Sequence, residues 1–324
     1  MNPQSLIDNE QRYNQTAPYY SVIMPCFNSD QFIKDSIKSV LNQTDTDFEL
    51  IVVDDGSNDR SQEIILSFSN LDSRVKYFKN SGSRGASGAR NYGASVAKGK
   101  WLCFLDSDDV FLRHCLEHRR TCIEGTDFDF FSSDFYRWFE DEEMVRQSKA
   151  NWHWELYFKG SDNIDVIPIL NAADVFLEGV IAWTGGVTIR NSVFQSLSGF
   201  NEALKRAEDH HLWLRCAAFT GKVGLISQPD VFYRIRNDGL SGGINRQTSY
   251  SVTMYEMLLK DPLFSNFERL INKNLDRALY LVCLSGRNNG DWRRAVDFGF
   301  RYWLRSPFNK KRFRNLIGAF FLKK

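Results

Sequence analysis

Over the first 125 residues the apolar positions keep changing period. "YYSVIMPCFN" (19–28) is an apolar, β-rich run that stops at polar residues. In "SDQFIKDSIKSVLNQT" the apolar residues Phe32, Ile33, Ile37, Val40 and Leu41 fall at helical spacing, with Ser29 or Asp30 as the expected N-cap. "FELIVVDDGS" (48–57) predicts a strand, "DRSQEIILSF" a helix, "VKYFKN" (75–80) a strand, and "ASGARNYGASVAKGK" a glycine-rich loop running into a small-residue helix. "WLCFLDSDD" predicts another strand and "LRHCLEHRRTCIE" another helix. Strand and helix thus alternate four times, the mark of βαβ units and a mostly parallel sheet with helices on both faces. Uninterrupted apolar strands fit, because central parallel strands are covered on both sides.

Beyond residue 125 the rhythm loosens. "DFDFFSSDFYRWF" reads as a strand, and "EDEEMVRQSKANWHWELYFKGSD" as an irregular insertion. "TGGVTIR" predicts a short strand, "NSVFQSLSGF" a short helix ended by Gly199, and "AEDHHLWLRCAAFTG" a helix stopped by Gly221. "VGLISQPDVFYRIR" reads as strand, turn, strand, and from about 250 onward the pattern is helical. The expected organisation is a loose extension over 1–18, an α/β domain over 19–245, and a basic helical region over 246–324.

Composition narrows the classes. Hydrophobic residues make up 43% and aromatics 14%, ample for a core, and a formal net charge of +1 gives no reason to expect nucleic-acid binding. Six scattered cysteines form no C-x-x-C pair, so neither a zinc site nor a disulfide framework is indicated, and they read as reduced thiols of a cytosolic protein. The N-terminus lacks the basic and apolar regions of a signal peptide, and no apolar run approaches the roughly 20 residues of a membrane span.

In open α/β sheets ligands bind beyond the carboxyl ends of the strands. Those ends are here "PCFN", "VDDGS" and "LDSDD". Asp106, Asp108 and Asp109 would repel one another unless something positive sits among them. If the strand continued, Asp106 and Asp108 would share a face, and carboxylate oxygens suit hard cations such as Mg²⁺ or Mn²⁺. The plainer reading is three turn and cap acids. "VDDGS" is likewise either a ligand site or ordinary turn chemistry. "GSRGASGARN" is not G-x-G-x-x-G; Arg90 either approaches a nucleotide near a helix N-terminus or pairs with an Asp to hold the loop. In "AEDHHLWLR", Glu208 and Asp209 are either a charged first turn or catalytic acids, and lone histidines are more often structural than ligating.

"SVIMPCFNSDQFIKDSIKSVLNQTDTDFELIVVDDGSND", "GASGARNYGASVAKGKWLCFLDSDD" and "GFNEALKRAEDHHLWLR" follow one another in order. Together they resemble the family 2 inverting glycosyltransferases of bacterial polysaccharide type, over about residues 19–240. The resemblance implies a GT-A fold and transfer of a sugar from a nucleotide-diphosphate sugar, a UDP-sugar foremost, to a hydroxyl of a glycan or lipid-linked acceptor. It implies Mn²⁺ or Mg²⁺ on Asp108 with Asp106, the latter nearer the ribose. It implies that Asp55, with Asp54, contacts the nucleoside, that Pro25, Phe27 and Asn28 shape the base pocket, and that Asp209 is the general base beside Glu208. Relatives often carry Tyr-Arg-x-His after the last strand; "YRIR" puts Arg236 at the last position, a candidate phosphate contact that cannot ligate a metal. "WTGGV", with Trp183 and Gly185, and Trp152 and Trp154 are candidates for the acceptor side or for core packing. Rival readings are a nucleotidyltransferase, which needs a basic glycine-rich loop that "PCFNSD" lacks, and a non-catalytic nucleotide-sugar-binding protein.

Residues 293–324 hold ten basic residues against one acid, Asp297, interleaved with Phe, Trp and Leu, and Pro307 separates two expected helices. This predicts a basic amphipathic surface for an anionic membrane on the cytoplasmic side, a partner, or the catalytic domain itself.

Overall fold

The computed structural model describes residues 17–139, 144–147, 152–159, 164–179, 182–235 and 244–320. Residues 1–16 of the expected N-terminal extension, Arg236, Lys323, Lys324 and the side chain of Trp152 lie outside the described residues.

The early alternation forms as β1 (Tyr20–Cys26), α1 (Ile33–Leu41), β2 (Phe48–Asp54), α2 (Ser61–Leu71), β3 (Val75–Lys79), α3 (Ala86–Val96) and β4 (Trp101–Phe104). Next come β5 (Val110–Phe111), α4 (Cys115–Glu124), β6 (Phe130–Phe139), β7 (Val145–Arg146), α5 (Trp152–Phe158), β8 (Val166–Ile169) and α6 (Ala172–Glu178). After them come β9 (Val187–Arg190), α7 (Asn191–Ser196), α8 (Glu208–Thr220) and β10 (Val223–Ile235), then α9 (Ile244–Leu258), α10 (Glu268–Asn288), α11 (Trp292–Leu304) and α12 (Lys310–Phe320).

The sheet runs β3-β2-β1-β4-β9-β6-β10-β5, with β7 added to β6 and β8 to β10. Parallel pairing is confined to β3-β2-β1-β4 and to β6-β10; β9 lies antiparallel to both β4 and β6. The sheet is mostly parallel, as the sequence predicts, and what the sequence leaves open is the antiparallel entry of β9 between the two parallel blocks, because an apolar run does not encode the direction of its neighbour. β2 is buried along its whole length. Its Leu50 and Val52 join Ile37, Val40 and Ile65 of α1 and α2 on one face, while Ile51 and Val53 meet Ala89 of α3 on the other.

Four local expectations change. β4 ends at Phe104, so the acids stand on a turn closed by Asp109 N–H donating to the Asp106 carbonyl at 3.0 Å. Residues 223–235 form one strand with two register shifts around Pro229, not two strands and a turn. α1 begins after Phe32, and Ser29 serves it through its carbonyl, which accepts from Phe32 and Ile33 N–H, not through a side-chain cap. The insertion after β6 contains β7 and α5.

The described chain divides into two compact units. One runs to Ala203 and resumes from Leu212 to Ile235; the other comprises Leu204–His211 and residues 244–320. In the second, Val252 of α9 packs with Leu275, Leu279 and Val282 of α10. All six cysteines are free and buried. Burial pushes the Cys26 thiol up to about 11 and that of Cys122 up to about 12, so they are poor nucleophiles.

Candidate active site

Three strand exits of the first unit carry the polar residues. At the end of β1, Pro25 is harmless to the ladder. Ile23 offers its carbonyl to Leu105 on the β4 side and Cys26 to Asp55 on the β2 side, so Pro25 faces β4 where that strand has already ended. Phe27 follows, half exposed. Asn28 adopts φ +49°, a left-handed conformation that Asn tolerates. Its N–H donates to Ser57 Oγ at 3.0 Å and its Oδ1 accepts from Asn58 N–H at 2.8 Å, tying the first exit to the second.

At the second exit the two acids part company. Asp54 is buried, and its carboxylate accepts from Ser57 N–H at 2.9 Å and from the Tyr77 hydroxyl at 3.4 Å. Asp55 is half-buried and holds the glycine-rich loop, accepting from Asn80 Nδ2 at 2.6 Å and from Gly85 N–H at 2.7 Å. The loop sits close on its own helix: a Cβ at Gly88 would lie 1.8 Å from the Ser83 carbonyl oxygen.

The third exit is the acid turn. Asp106 and Asp108 are half-buried, whereas Ser107 and Asp109 are buried. Asp106 Oδ1 accepts from Arg90 Nη2 at 2.6 Å, and the Arg90 guanidinium lies over the Phe200 ring. Of its two sequence readings, Arg90 here has the ion pair with an Asp. Ser107 Oγ meets Ser29 Oγ at 2.7 Å, and its carbonyl accepts from Ser36 Oγ at 2.9 Å. Asp109 Oδ1 accepts from Arg234 N–H at 2.9 Å, while Arg234 Nε donates to the Asp108 carbonyl at 3.0 Å. Burial, then the carboxylates of Asp108 and Asp106, push the Asp109 carboxyl well above the usual range, and its Oδ2 has no hydrogen-bond partner among the described residues. Two acids are thus presented outward by a frame that holds the other two turn residues inward.

Arg234 is not among the residues the sequence singles out; Arg236 is. The signal was the "YR" of "YRIR", since Arg234 is clamped between Trp138 (4.0 Å to the ring centre) and Phe32 (4.9 Å). Tyr233 beside it packs on Trp183, which packs on Phe135. A Cβ at Gly185 would lie 2.2 Å from the Trp183 ring, so glycine is what lets the indole fold over this turn. The turn is held from below by Arg119, which, unlike Arg234, has no sequence signal. Arg119 is fully buried; it donates to Gly185 O at 2.9 Å, to Thr188 Oγ1 at 3.2 Å, and to both oxygens of Asp230 at 2.7 and 2.9 Å. Trp154 is buried and stacks on Phe158, which is core packing.

Glu208 and Asp209 form the first turn of α8, in the second unit. Ala207, just before them, stands at φ +59°, a strained conformation for a residue with a Cβ, and its carbonyl accepts from His211 N–H. Asp209 Oδ1 accepts from His210 N–H at 2.7 Å. Among the described residues no group of three or more His, Cys, Asp or Glu side chains is arranged to hold a metal ion.

Comparison with known proteins places this arrangement. Residues 21–176 match the family model Glycosyl transferase family 2. The chain is 29% identical over 238 residues to the uncharacterized glycosyltransferase MJ1057 of Methanocaldococcus jannaschii, covering 72% of this chain and 77% of that protein. It is 39% identical over 115 residues to the Escherichia coli UDP-Glc:alpha-D-GlcNAc-diphosphoundecaprenol beta-1,3-glucosyltransferase WfgD, covering 36% of this chain and 45% of that one. The chain spans less than half the length of several other curated relatives it matches. In fold it is similar to S. aureus TarS 1-349, solved with UDP-GlcNAc, at a TM-score of 0.64 and 20% identity, covering 87% of this chain and 80% of that one. By motif order, matched domain and sheet architecture, residues 21–176 are a family 2 glycosyltransferase domain, in a chain with the GT-A fold.

Proposed function

We propose that the protein is an inverting, metal-dependent glycosyltransferase that moves a sugar from a nucleotide-diphosphate sugar, a UDP-sugar foremost, to an acceptor hydroxyl. The observation that carries this reading is the acid turn, with Asp106 and Asp108 half-buried at a strand exit while Ser107 and Asp109 are buried and held by Ser29, Ser36 and Arg234. The TarS structure with UDP-GlcNAc supports the donor class.

The residues fit a divalent cation. Asp108 and Asp106 offer hard oxygen donors, and a cation on these two would offset their repulsion of Asp109, which adds to the larger effect of its burial. Two protein carboxylates leave coordination places for phosphate oxygens. When bound, the cation would neutralise charge building on the departing diphosphate. Asp55 and Asn28 would hold the nucleoside, and Arg90 would keep Asp106 aligned. We assign the base to Asp209: it takes the proton of the acceptor hydroxyl as that oxygen bonds to the anomeric carbon. The bond from that carbon to the diphosphate breaks, and the nucleoside diphosphate leaves with the electron pair. Glu208 is its neighbour in the same helical turn.

For the acceptor we infer a glycan or lipid-linked sugar, in keeping with the diphosphoundecaprenol named for WfgD. A lipid-linked acceptor goes with a cytoplasmic protein held peripherally on an anionic membrane, and the basic C-terminal region supports that reading.

The test is a panel of nucleotide sugars with Mn²⁺, read by donor hydrolysis and transfer. Asp209→Asn should bind donor as the parent does and lose transfer by about 10²-fold or more. Asp108→Ala should lose the gain in nucleotide affinity that Mn²⁺ brings. Near-normal turnover of Asp209→Asn removes it as base, and conversion of a nucleotide sugar and added pyrophosphate to a nucleoside triphosphate and a sugar 1-phosphate, in place of sugar transfer, makes the protein a nucleotidyltransferase.

A further inference from the structure

Of the eight basic side chains in residues 292–320, seven fall into two sets. Arg301 pairs with Glu256 at 2.6 Å, and Arg305 and Arg312 both pair with Asp276. These join the helices to one another. Arg293, Lys310, Lys311 and Arg314 are exposed and have no carboxylate partner among the described residues.

Apolar side chains stand among them. Phe300 and Leu304 are exposed on α11, Phe313 and Ile317 on α12, and Phe308 in the connecting turn is 98% exposed. On α11, Arg293, Phe300 and Leu304 fall on one face; on α12, Lys310, Phe313, Arg314 and Ile317 do. The Trp303 ring bridges Phe300 and Phe313, at 5.7 and 6.3 Å between centres. The turn is built, not loose. Trp303 Nε1 donates to the Pro307 carbonyl at 2.9 Å, Asn309 N–H to the Ser306 carbonyl at 3.0 Å, and Asn309 Oδ1 accepts from Lys311 and Arg312 N–H. A fixed turn thus holds a phenyl ring in water, amid rings and unpaired cations.

Contiguous exposed apolar groups of this kind mark an interaction surface. A second copy is disfavoured, because residues 292–320 carry eight basic residues and one acid and would face their own charge. An anionic bilayer satisfies both sets at once: rings enter the headgroup boundary while the cations meet phosphate. We propose that the α11–α12 turn is a membrane-insertion wedge, with Phe308 leading, Phe300, Leu304 and Phe313 following, and Lys310, Lys311 and Arg314 at the phosphate level. This deepens the peripheral-membrane reading and rests on it, and it is independent of the transfer chemistry.

Full-length protein is sedimented with phosphatidylglycerol–phosphatidylcholine vesicles and with phosphatidylcholine vesicles. The parent should partition into the anionic ones. Phe308→Ser with Phe313→Ser should weaken partitioning by about tenfold or more, since each ring loses apolar burial. Lys310→Gln with Lys311→Gln should weaken it by about 25-fold, at about 1 kcal/mol for each cation. Phe308→Trp should gain a fluorescence component quenched by brominated acyl chains, which docking by charge alone would not produce. The altered side chains are exposed, so unfolding curves should match the parent's. If the parent ignores anionic vesicles, the membrane reading falls and the wedge with it. If the lysine variant is released while the serine variant binds like the parent and Phe308→Trp is unquenched, the wedge is wrong and the peripheral reading stands.

Discussion

At the scale of single residues, position decides what a charge does. Asp54 and Asp55 are chain neighbours with different work, because successive residues leaving a strand face opposite ways: one is folded into its own turn, the other reaches the glycine-rich loop. Arg119 makes the same point in the core. Its guanidinium is satisfied by Asp230, Gly185 and Thr188, and with burial opposing it the Asp230 carboxylate holds its charged form. Arg119→Met should destabilise the protein by about 3–5 kcal/mol in denaturant unfolding, because Asp230 is left buried and uncompensated. Adding Asp230→Leu should recover most of that loss, since well-packed apolar pairs often replace buried ion pairs without cost. The double variant should still transfer more slowly if the Gly185 turn needs its anchor.

At the scale of elements, the strand–helix rhythm to residue 125 was readable because each element carries its own period. The acid turn reads as strand in the sequence because apolar character continues through Leu105; Phe104, paired with Ile23, is the last ladder residue, and Leu105 N–H gives the closing bond to the Ile23 carbonyl. In the sequence β10 looks like two strands because Pro229 resembles a stop, whereas its register shifts absorb the proline and keep pairing with β6 on either side. The loop–helix unit before α3 works as one piece. Gly88→Ala would put a methyl 1.8 Å from Ser83 O and force the loop away from Asp55. It should cost about 1–3 kcal/mol in thermal unfolding and weaken UDP binding in a titration. Unchanged UDP affinity would separate the loop from the nucleoside site.

At the scale of the molecule, one unit carries the mixed sheet with its three polar strand exits, and the other is helical and ends in the basic hairpin. Among the described residues no helix is long and apolar enough to cross a membrane. Attachment through surface cations and a few rings is screened by salt, with a Debye length near 3 Å at about 1 M. Protein in a membrane fraction should therefore be stripped by about 1 M salt or alkaline carbonate without detergent, read by immunoblot of pellet and supernatant. Retention until detergent is added would count against a peripheral protein.

The order of the motifs, the alternation of β and α, the acids at strand exits and the basic C-terminus were all set by sequence alone, because each depends on local period or on charge density along the chain. Tertiary structure decided the rest. It chose the antiparallel insertion of β9, assigned Arg90 to Asp106, and brought Arg234 under the acid turn and Arg119 under the Gly185 turn. Partners in these contacts stand up to 126 residues apart, so their pairing is a property of packing and leaves no mark in any short stretch of the chain.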